Sequence, residues 1–346
     1  MPLGKMILLD LLLLGIVLCT FALCHHVIPR ITAKNTPAPA AVSLTQSTPK
    51  PTAAPTPAAA VEEGTESTPE VTPEPTPEVT PEPVLTWREK FADKFTDEIV
   101  WTDNSYSSPN VSITIEKIRT EYTDVVNTDV YVADIYVADL ESFKTCFAGG
   151  EFGYYAAEPA LRLSSRANAI LAINGDYADN QQSGFLVRNG SLYYSEPLVC
   201  DICVLYQDGT METYGPGEYS VDEIIERGPV QTFKFGPELL DDGQAKSTFN
   251  VSSELTVDNP RAAVGYYEPG HYCFVVCDGR QSSSRGLEMN RLSRFMADLG
   301  CASAYNLDGG ASAVMTFNGR IVNSPSNGGR DLGDILCIVE LQEEEG

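Results

Sequence analysis

The sequence contains very little histidine, and this scarcity excludes two common kinds of catalytic site. Of the three histidines, His25 and His26 stand beside an apolar N-terminal segment, which leaves only His271 for a folded domain. A zinc site built on two histidines is therefore excluded. A Ser-His-Asp triad would have His271 as its sole candidate base.

Positively charged residues are also scarce. The 346-residue chain has 23 Lys and Arg against 48 Asp and Glu, which gives a formal net charge of -25. Binding to a nucleic-acid backbone requires clustered basic side chains that neutralise phosphates, so no nucleic acid is expected as a partner. The same deficit disfavours docking on anionic lipid headgroups. Hydrophobic residues still make up 43% of the chain, enough to build a core.

Residues 1–35 form the predicted membrane-anchor or signal region, because residues 6–23 are almost entirely apolar. A run of about 18 apolar residues is at the lower end of what spans a bilayer. The exit at Leu23-Cys24 lacks the small residues of a signal-peptidase site, so an uncleaved transmembrane anchor is favoured over a signal peptide. Both interpretations place the rest of the chain outside the cytoplasm, anchored in the first case and secreted in the second.

Residues 36–83 form a tract rich in Pro, Thr, Ala and Glu. It holds 12 of the 23 prolines of the chain, and Thr-Pro-Glu recurs there from positions 68, 72, 76 and 80. Proline at this density removes backbone donors that helices and sheets need. The tract is therefore predicted to be a disordered, extended stalk of polyproline II type.

Residues 84–346 are predicted to form one globular domain. The strand-like runs are residues 130–137, 169–173, 272–276 and 335–339. Apolar residues recur at helical spacing within 287–299, just before Gly300, which predicts a helix there. Because strands outnumber helices, the predicted class is α+β (mixed α/β), with a large mixed sheet and flanking helices.

The cysteines favour a structural over a chemical role. Cys19 and Cys24 belong to the predicted anchor, and seven cysteines remain. An odd number leaves at least one free thiol, and the cysteines are predicted to be either structural or partly disulfide-bonded. Cys200 and Cys203 fall on an apolar, strand-like run, where their side chains would point to opposite faces. That orientation is wrong for a metal knuckle.

Polar residues follow three of the apolar runs. The three segments are Asn174-Gly175-Asp176, Asp278-Gly279-Arg280 and Asn306-Leu307-Asp308. The Asn-Gly and Asp-Gly pairs also read as ordinary turns. If all three segments converge at one edge of a sheet, nearby arginines would complete a site for a substrate with both hydroxyls and a phosphate. The planar guanidinium suits that role because it binds phosphate oxygens bidentately.

As a set, these motifs resemble those of the phosphodiester glycosidase family, over about residues 165–340. The matching segments are Asn174-Gly175-Asp176-Tyr177, Arg261-Ala-Ala-Val-Gly265, Asp278-Gly279-Arg280, Ala304-Tyr-Asn306-Leu-Asp308-Gly309-Gly310-Ala311-Ser312, and Asn323-Ser-Pro-Ser followed by Arg330. Three positions depart from the family pattern: Asp176 and Ala311 replace glycines, and Arg291 replaces a glutamate. Bacterial members are often labelled exopolysaccharide biosynthesis proteins.

The resemblance implies hydrolysis of a sugar-1-phosphodiester, similar to an N-acetylglucosamine-1-phosphodiester, by cleavage of the anomeric C–O bond. It implies catalytic roles for Asp308, Asp278 and Asn306. The residues that it implies for substrate and phosphate binding are Arg261, Arg280, Arg330, Asn174, Gly309, Gly310, Ser312 and Asn323. Asp176 is predicted to bind as well, although the family pattern does not supply its role. The expected partner is a carbohydrate phosphodiester, or a cell-envelope or extracellular polymer that contains one.

Two other functions stay open at this point. A non-catalytic glycan-binding or exopolysaccharide-assembly module would use the same polar residues for binding alone, and a phosphodiesterase would cleave at phosphorus. No cofactor is firmly implied. Aspartate oxygens would suit a divalent cation such as Ca²⁺ or Mg²⁺, although no loop has a recognised ion-binding spacing.

Overall fold

The computed structural model describes residues 39–44, 85–120, 127–178, 184–196 and 199–341. The predicted anchor, residues 6–23, lies outside these ranges, as does most of the predicted stalk. Both stay predictions. Across the described ranges, no helix is long and apolar enough to cross a membrane.

The described residues form twenty strands and five α-helices, together with four three-residue 3₁₀ helices. The strands are β1 (Val42–Ser43), β2 (Val100–Trp101), β3 (Ser105–Ser107), β4 (Val111–Thr120), β5 (Thr128–Val137), β6 (Phe143–Phe147), β7 (Ala169–Asn174), β8 (Phe185–Arg188), β9 (Ser191–Ser195), β10 (Ile202–Tyr206), β11 (Met211–Tyr214), β12 (Pro229–Phe233), β13 (Leu240–Asp241), β14 (Gln244–Ala245), β15 (Arg261–Glu268), β16 (His271–Cys277), β17 (Ser303–Asn306), β18 (Met315–Phe317), β19 (Arg320–Ile321) and β20 (Asp334–Val339). The helices are α1 (Trp87–Lys90), α2 (Ala160–Arg166), α3 (Val221–Arg227), α4 (Ser253–Thr256) and α5 (Met289–Asp298).

The strands are distributed over five sheets. The largest sheet has the order β17-β15-β16-β5-β4-β3-β2, and the second has the order β19-β18-β7-β20-β6. Two three-stranded sheets have the orders β1-β9-β8 and β11-β10-β12, while β13 and β14 pair with each other. Every pairing between these strands is antiparallel. The predicted α+β class with one globular domain is confirmed.

Strand β5 shows how the sequence places the core. Successive side chains of a strand point to opposite faces. Ala133 and Ile135 belong to the main core, which lies between the seven-stranded sheet and strands such as β7, β12 and β20. Val130 and Val132 point the other way, into a second core beneath α5. Because both faces of β5 are covered, the strand is apolar almost throughout.

Helix α5 covers the outer face of the seven-stranded sheet. Leu292 and Met296 are fully buried there, and they lie on the apolar side of the helix. Gly300 follows with a φ of 82°, a left-handed conformation that commonly ends helices. The helix predicted over 287–299 is therefore confirmed, with Met289 and Asp298 as its ends.

Part of the predicted stalk is folded onto the domain. Val42 and Ser43 form β1 and pair with Leu192 and Ser191 of β9. Residues 40–48 contain no proline, so their backbone can take part in a sheet ladder. The uninterrupted polyproline structure predicted for residues 36–83 is therefore wrong for this short segment.

The cysteines are structural. All seven that fall within the described ranges are free thiols, and five of them are buried. Of the two predicted alternatives, structural or partly disulfide-bonded, the described residues show the first. Cys273 and Cys301 come nearest, with their sulfur atoms 3.7 Å apart inside the core beneath α5. Burial favours this role because a free cysteine packs as a small hydrophobic side chain.

Replacing Phe274 with alanine is expected to lower the free energy of unfolding by about 3–5 kcal/mol. Phe274 is fully buried in the main core, where its ring lies 5.6 Å from that of Phe143. Ile321→Ala is the control: this side chain is 42% exposed, and its loss should change stability by less than about 0.5 kcal/mol. Urea unfolding measures both, and similar losses would contradict this placement of the core.

Candidate active site

The pairing of three strands brings the predicted polar segments to one edge of the molecule. Strands β16 and β17 both pair antiparallel with β15, so they run in the same direction and end at the same side. Asp278 follows β16 and Asp308 follows β17. Asn174, at the end of β7 in the second sheet, donates from Nδ2 to the Asp308 carbonyl oxygen over 2.6 Å. Both large sheets therefore contribute to the candidate site.

Asp308 forms an ion pair with Arg330. Arg330 donates from Nη2 to Asp308 Oδ2 and from Nε to the Ser312 hydroxyl, and the Gly309 amide donates to Asp308 Oδ1 over 2.8 Å. The Asp308 side chain is 14% exposed, whereas that of Arg330 is 45% exposed. The guanidinium also lies 5.2 Å from the centre of the Tyr177 ring. A fixed carboxylate thus stands beside a cation that solvent and ligands can reach.

The two glycines after Asp308 allow this close packing. A Cβ at Gly309 would lie 2.7 Å from the Pro260 carbonyl oxygen, which leaves no room for a side chain. Gly310 has a φ of 64°, and a Cβ there would lie 3.1 Å from the Arg280 guanidinium. The Gly310 amide donates to the same Pro260 oxygen over 3.0 Å. The glycines bring the chain that carries Asp308 against the start of β15 and beneath Arg280.

Asp278 is the second carboxylate of the site, and it is buried. Its Oδ1 accepts hydrogen bonds from Asn323 Nδ2 at 3.0 Å and from the Ser324 amide at 2.8 Å. Burial raises the pKa of this carboxyl, although the two hydrogen bonds act in the opposite direction. The nearby carboxylate of Asp129 also raises the pKa, and Lys117 lowers it.

The loop before β18 links the surroundings of the two carboxylates. Asn323 donates to the Ala313 carbonyl, and its Oδ1 accepts from the Met315 amide over 2.8 Å. Asn174 Oδ1 accepts from the Val314 amide between them, over 3.3 Å. Asn323 and Asn174 are both buried. These amides therefore hold one loop from two directions and fix the framework around Asp278 and Asp308.

Asn306 is buried at the end of β17. Its Nδ2 donates to the Gly236 carbonyl over 2.7 Å, and its main-chain amide donates to the Pro237 carbonyl. No described residue donates a hydrogen bond to its Oδ1. The segment around Gly236 therefore holds Asn306 in place, a contact that the sequence did not suggest.

The predicted arginines fall into two groups. Arg280 and Arg330 are exposed, and Arg280 donates to the Asn259 side chain from Nε and Nη2. Arg285 is exposed and paired with Asp258. Arg261 is buried, and it donates to the carbonyls of Leu255, Val257 and Leu287. This desolvation lowers the pKa of Arg261 to about 10.

Arg261 and Asp176 thus occupy different surroundings from the other predicted binding residues. Asp176 is completely buried, and its carboxylate pairs with Arg188. Arg261 bridges the α4 segment and Leu287, two residues before α5. In this structure both residues support the loops that carry the site, and neither presents its charged group to solvent.

Sequence reasoning missed several residues near the site. The buried pair Arg188 and Asp334 carried no signal, because each lies within or at the start of an ordinary strand. Tyr177 was noted only as part of a motif. His271, the sole histidine in the described ranges, starts β16 and pairs with Asp134 at the opposite end of that strand from Asp278. Within the described ranges, no group of three His, Cys, Asp or Glu side chains is arranged to hold a metal ion.

The family model for phosphodiester glycosidase matches residues 167–339, which is half of the chain. A prophage-derived uncharacterized protein of Bacillus subtilis, YomE, is 30% identical over 195 residues, 54% of this chain and 30% of that protein. Human N-acetylglucosamine-1-phosphodiester alpha-N-acetylglucosaminidase is 27% identical over 157 residues, 39% of this chain and 30% of the enzyme. The chain therefore spans about 30% of the length of these relatives.

Two solved structures share the fold. One is the catalytic domain of zebrafish N-acetylglucosamine-1-phosphodiester alpha-N-acetylglucosaminidase, auto-inhibited by its pro-peptide. It is 25% identical, with a TM-score of 0.56, and the match covers 68% of this chain and 85% of that one. A hypothetical protein from Synechocystis, at 11% identity and a TM-score of 0.51, covers 67% of this chain and 62% of its own. The latter similarity concerns the fold alone.

Gly309→Ala is expected to destabilise the protein by about 1–3 kcal/mol, because the added Cβ would overlap the Pro260 carbonyl. Gly153→Ala is the matched control, since its Cβ would meet only the Ala156 side chain at an ordinary 3.5 Å. Thermal unfolding of both variants measures the difference. An unchanged melting temperature for Gly309→Ala would contradict the close approach of the two loops.

Proposed function

The chain belongs to the phosphodiester glycosidase family, and we propose that it hydrolyses a sugar-1-phosphodiester by cleaving the C–O bond at the anomeric carbon. The observation that carries this proposal is the pairing of a nearly buried Asp308 with an exposed Arg330. A glycosyl phosphodiester needs a carboxylate near the anomeric carbon and a cation near the phosphate. The two side chains would supply these beside each other.

The phosphate is the leaving group in this reaction. The second pKa of a phosphate monoester is about 6, so this group departs at neutral pH without requiring a proton. Arg330 and Arg280 would bind the developing negative charge, because guanidinium groups bind phosphate oxygens bidentately. When the phosphate engages Arg330, the Asp308 carboxylate loses part of its charge compensation.

Asp308 would then act on the sugar. Its carboxylate either stabilises an oxocarbenium-like anomeric carbon or attacks it as a nucleophile, as carboxylates do in glycosidases. Gly309 and Ser312 hold the carboxylate and its arginine in place. Asn174 and Asn306 order the chain on either side, and Ser312 or these amides would contact sugar hydroxyls.

Asp278 would serve as the general base that activates water. Its Oδ1 is held by Asn323 and Ser324, while no described residue donates to Oδ2. A general base works best when its pKa lies near the operating pH. The pKa of Asp278 is raised, which brings it closer to neutral pH while the ionised form can still accept a proton. Asn323 would support this role by orienting the carboxylate.

The setting of the reaction is also a proposal. The predicted anchor and stalk would place the domain outside the cytoplasm, where cell-envelope or extracellular polymers contain sugar phosphodiester bonds. A divalent cation at the aspartates is a further hypothesis, since carboxylate oxygens suit Ca²⁺ or Mg²⁺. Assays with and without a chelator, followed by addition of each metal, test it.

The proposed activity is tested by incubating the full chain with a panel of sugar-1-phosphodiesters and measuring free sugar. We expect release from at least one substrate, and a fall in kcat of about 10³-fold or more in Asp308→Asn. Asp331→Asn is the matched control: Asp331 is an exposed aspartate that follows Arg330 in the sequence, and its replacement should leave full activity. Undiminished turnover by Asp308→Asn would remove Asp308 from the mechanism.

Two outcomes of the same panel would favour the other functions. Binding of a glycan fragment without release of sugar indicates a non-catalytic module. In water labelled with ¹⁸O, cleavage of the C–O bond places the label in the sugar, whereas attack at phosphorus places it in the phosphate. Label in the phosphate would therefore overturn the proposed bond cleavage.

The rate is expected to depend on the ionisation of Asp278. Because the pKa of this carboxyl is raised, the fraction in the basic form grows as pH rises through that pKa, and kcat/KM should rise with it. Asp278→Asn should lose about 10²- to 10⁴-fold and lose this acid limb of the profile. A wild-type rate that falls over the same pH range would indicate that Asp278 acts as an acid instead.

A further inference from the structure

We propose that Arg188 is a positioning residue for Asp308, which it acts on through the buried carboxylates of Asp176 and Asp334. Arg188 lies on β8, outside the site itself, and nothing in the sequence motifs points to it. The part of this inference that concerns catalysis rests on the proposed function. The mechanical part, that Arg188 holds the main chain of Asp308, does not.

Arg188 is the centre of a buried charge cluster. Its side chain is 1% exposed, and its Nη2 donates to Asp176 Oδ1 at 2.5 Å and to Asp334 Oδ2 at 3.1 Å. Its Nη1 donates to the carbonyl oxygens of Thr232 and Val187. One guanidinium therefore joins two carboxylates to the backbone of β12, through Thr232, and to that of its own strand, through Val187. Carboxylates buried this deeply require such compensation.

The two carboxylates fix the turn that follows β7. Asp176 is itself part of this turn, and its Oδ2 also accepts from the Lys234 amide over 2.8 Å. The Gly175 amide donates to the Asp334 carbonyl oxygen over 3.0 Å. A Cβ at Gly175 would lie only 2.2–2.5 Å from the Asp334 carboxylate atoms, so the turn rests directly on that group.

The same turn holds the main chain of Asp308 from both sides. Asn174 Nδ2 donates to the Asp308 carbonyl oxygen over 2.6 Å. The Asp308 amide donates to the Gly175 carbonyl oxygen over 3.3 Å. A shift of the turn would therefore move Asp308 relative to Arg330 and Ser312. This chain of contacts runs from Arg188 to the reacting carboxylate without a gap.

The geometry requires arginine at this position. An ammonium group is compact, so a lysine would compensate the charge but would not span two carboxylates and two carbonyls at once. Asp176 stands where the family commonly has a glycine. The Asp176–Arg188 bridge is therefore a feature of this chain's own sequence, and it adds a support to the turn that a glycine does not provide.

The first test is Arg188→Lys in the full chain. Kinetics should show a fall in kcat of about 10- to 100-fold, the size expected from a small misplacement of a reacting group. KM should change much less, because Arg330 and Arg280 still bind the phosphate. Arg166→Lys is the matched control: the Arg166 side chain is 38% exposed and pairs with Glu158, and kcat should not change.

A second readout does not depend on finding a substrate. Amide hydrogen exchange of the peptide that contains Asp308 should be faster in Arg188→Lys than in wild type and in Arg166→Lys. Asp176→Asn, which removes a single charge from the cluster, should shift exchange in the same direction. If Arg188→Lys does not fold, Asp176→Asn provides the same measurement of exchange at Asp308.

The two readouts separate this inference from the proposed function. A wild type without hydrolytic activity overturns the proposed function, while exchange at Asp308 still decides whether Arg188 holds that residue. Unchanged exchange at Asp308 in a folded variant overturns the positioning role. In an active wild type, so does an unchanged kcat.

Discussion

The antiparallel pairing of β15 with both β16 and β17 is the constraint on which the site depends. It sends the ends of β16 and β17 to the same edge, so Asp278 and Asp308 emerge together. Strand β16 is in turn paired along its whole length with β5. Strand β5 precedes the segment matched by the family model, so the domain that supports the site begins well before residue 167.

Charge is used differently on the surface and inside the domain. The net charge of -25 includes seven glutamates in the tract before the domain. Of the acidic residues that the structure describes, only five are buried. Inside, Arg188 and Arg261 are desolvated, and each donates several hydrogen bonds to carboxylates or backbone carbonyls. A buried guanidinium can satisfy several acceptors at once because its donors form a rigid fork. Net charge therefore says little about the groups that build the site.

The arginines near the site differ in exposure, and this difference separates those that can contact a ligand from those that hold the protein structure in place. Arg280 and Arg330 are exposed beside the glycine loop, where a phosphate could replace or extend their present contacts. Arg261 and Arg188 are buried, and their hydrogen bonds hold loops and turns in place. The contrast follows from solvation, since a ligand must reach a charged group in order to bind it. In the proposed function, phosphate recognition and site rigidity therefore belong to different residues of the same type.

The sequence by itself determined the strands at β5, β7, β16 and β20, the helix α5, and the segments around Asn174, Asp278 and Asp308, because hydrophobic periodicity and turn residues are local signals. It also indicated the family, since motif order survives in the linear chain. It did not distinguish Arg261 from Arg330, or show that Asp176 is buried against Arg188. Those distinctions depend on which faces are covered and which loops meet, and contacts between residues distant in sequence decide both.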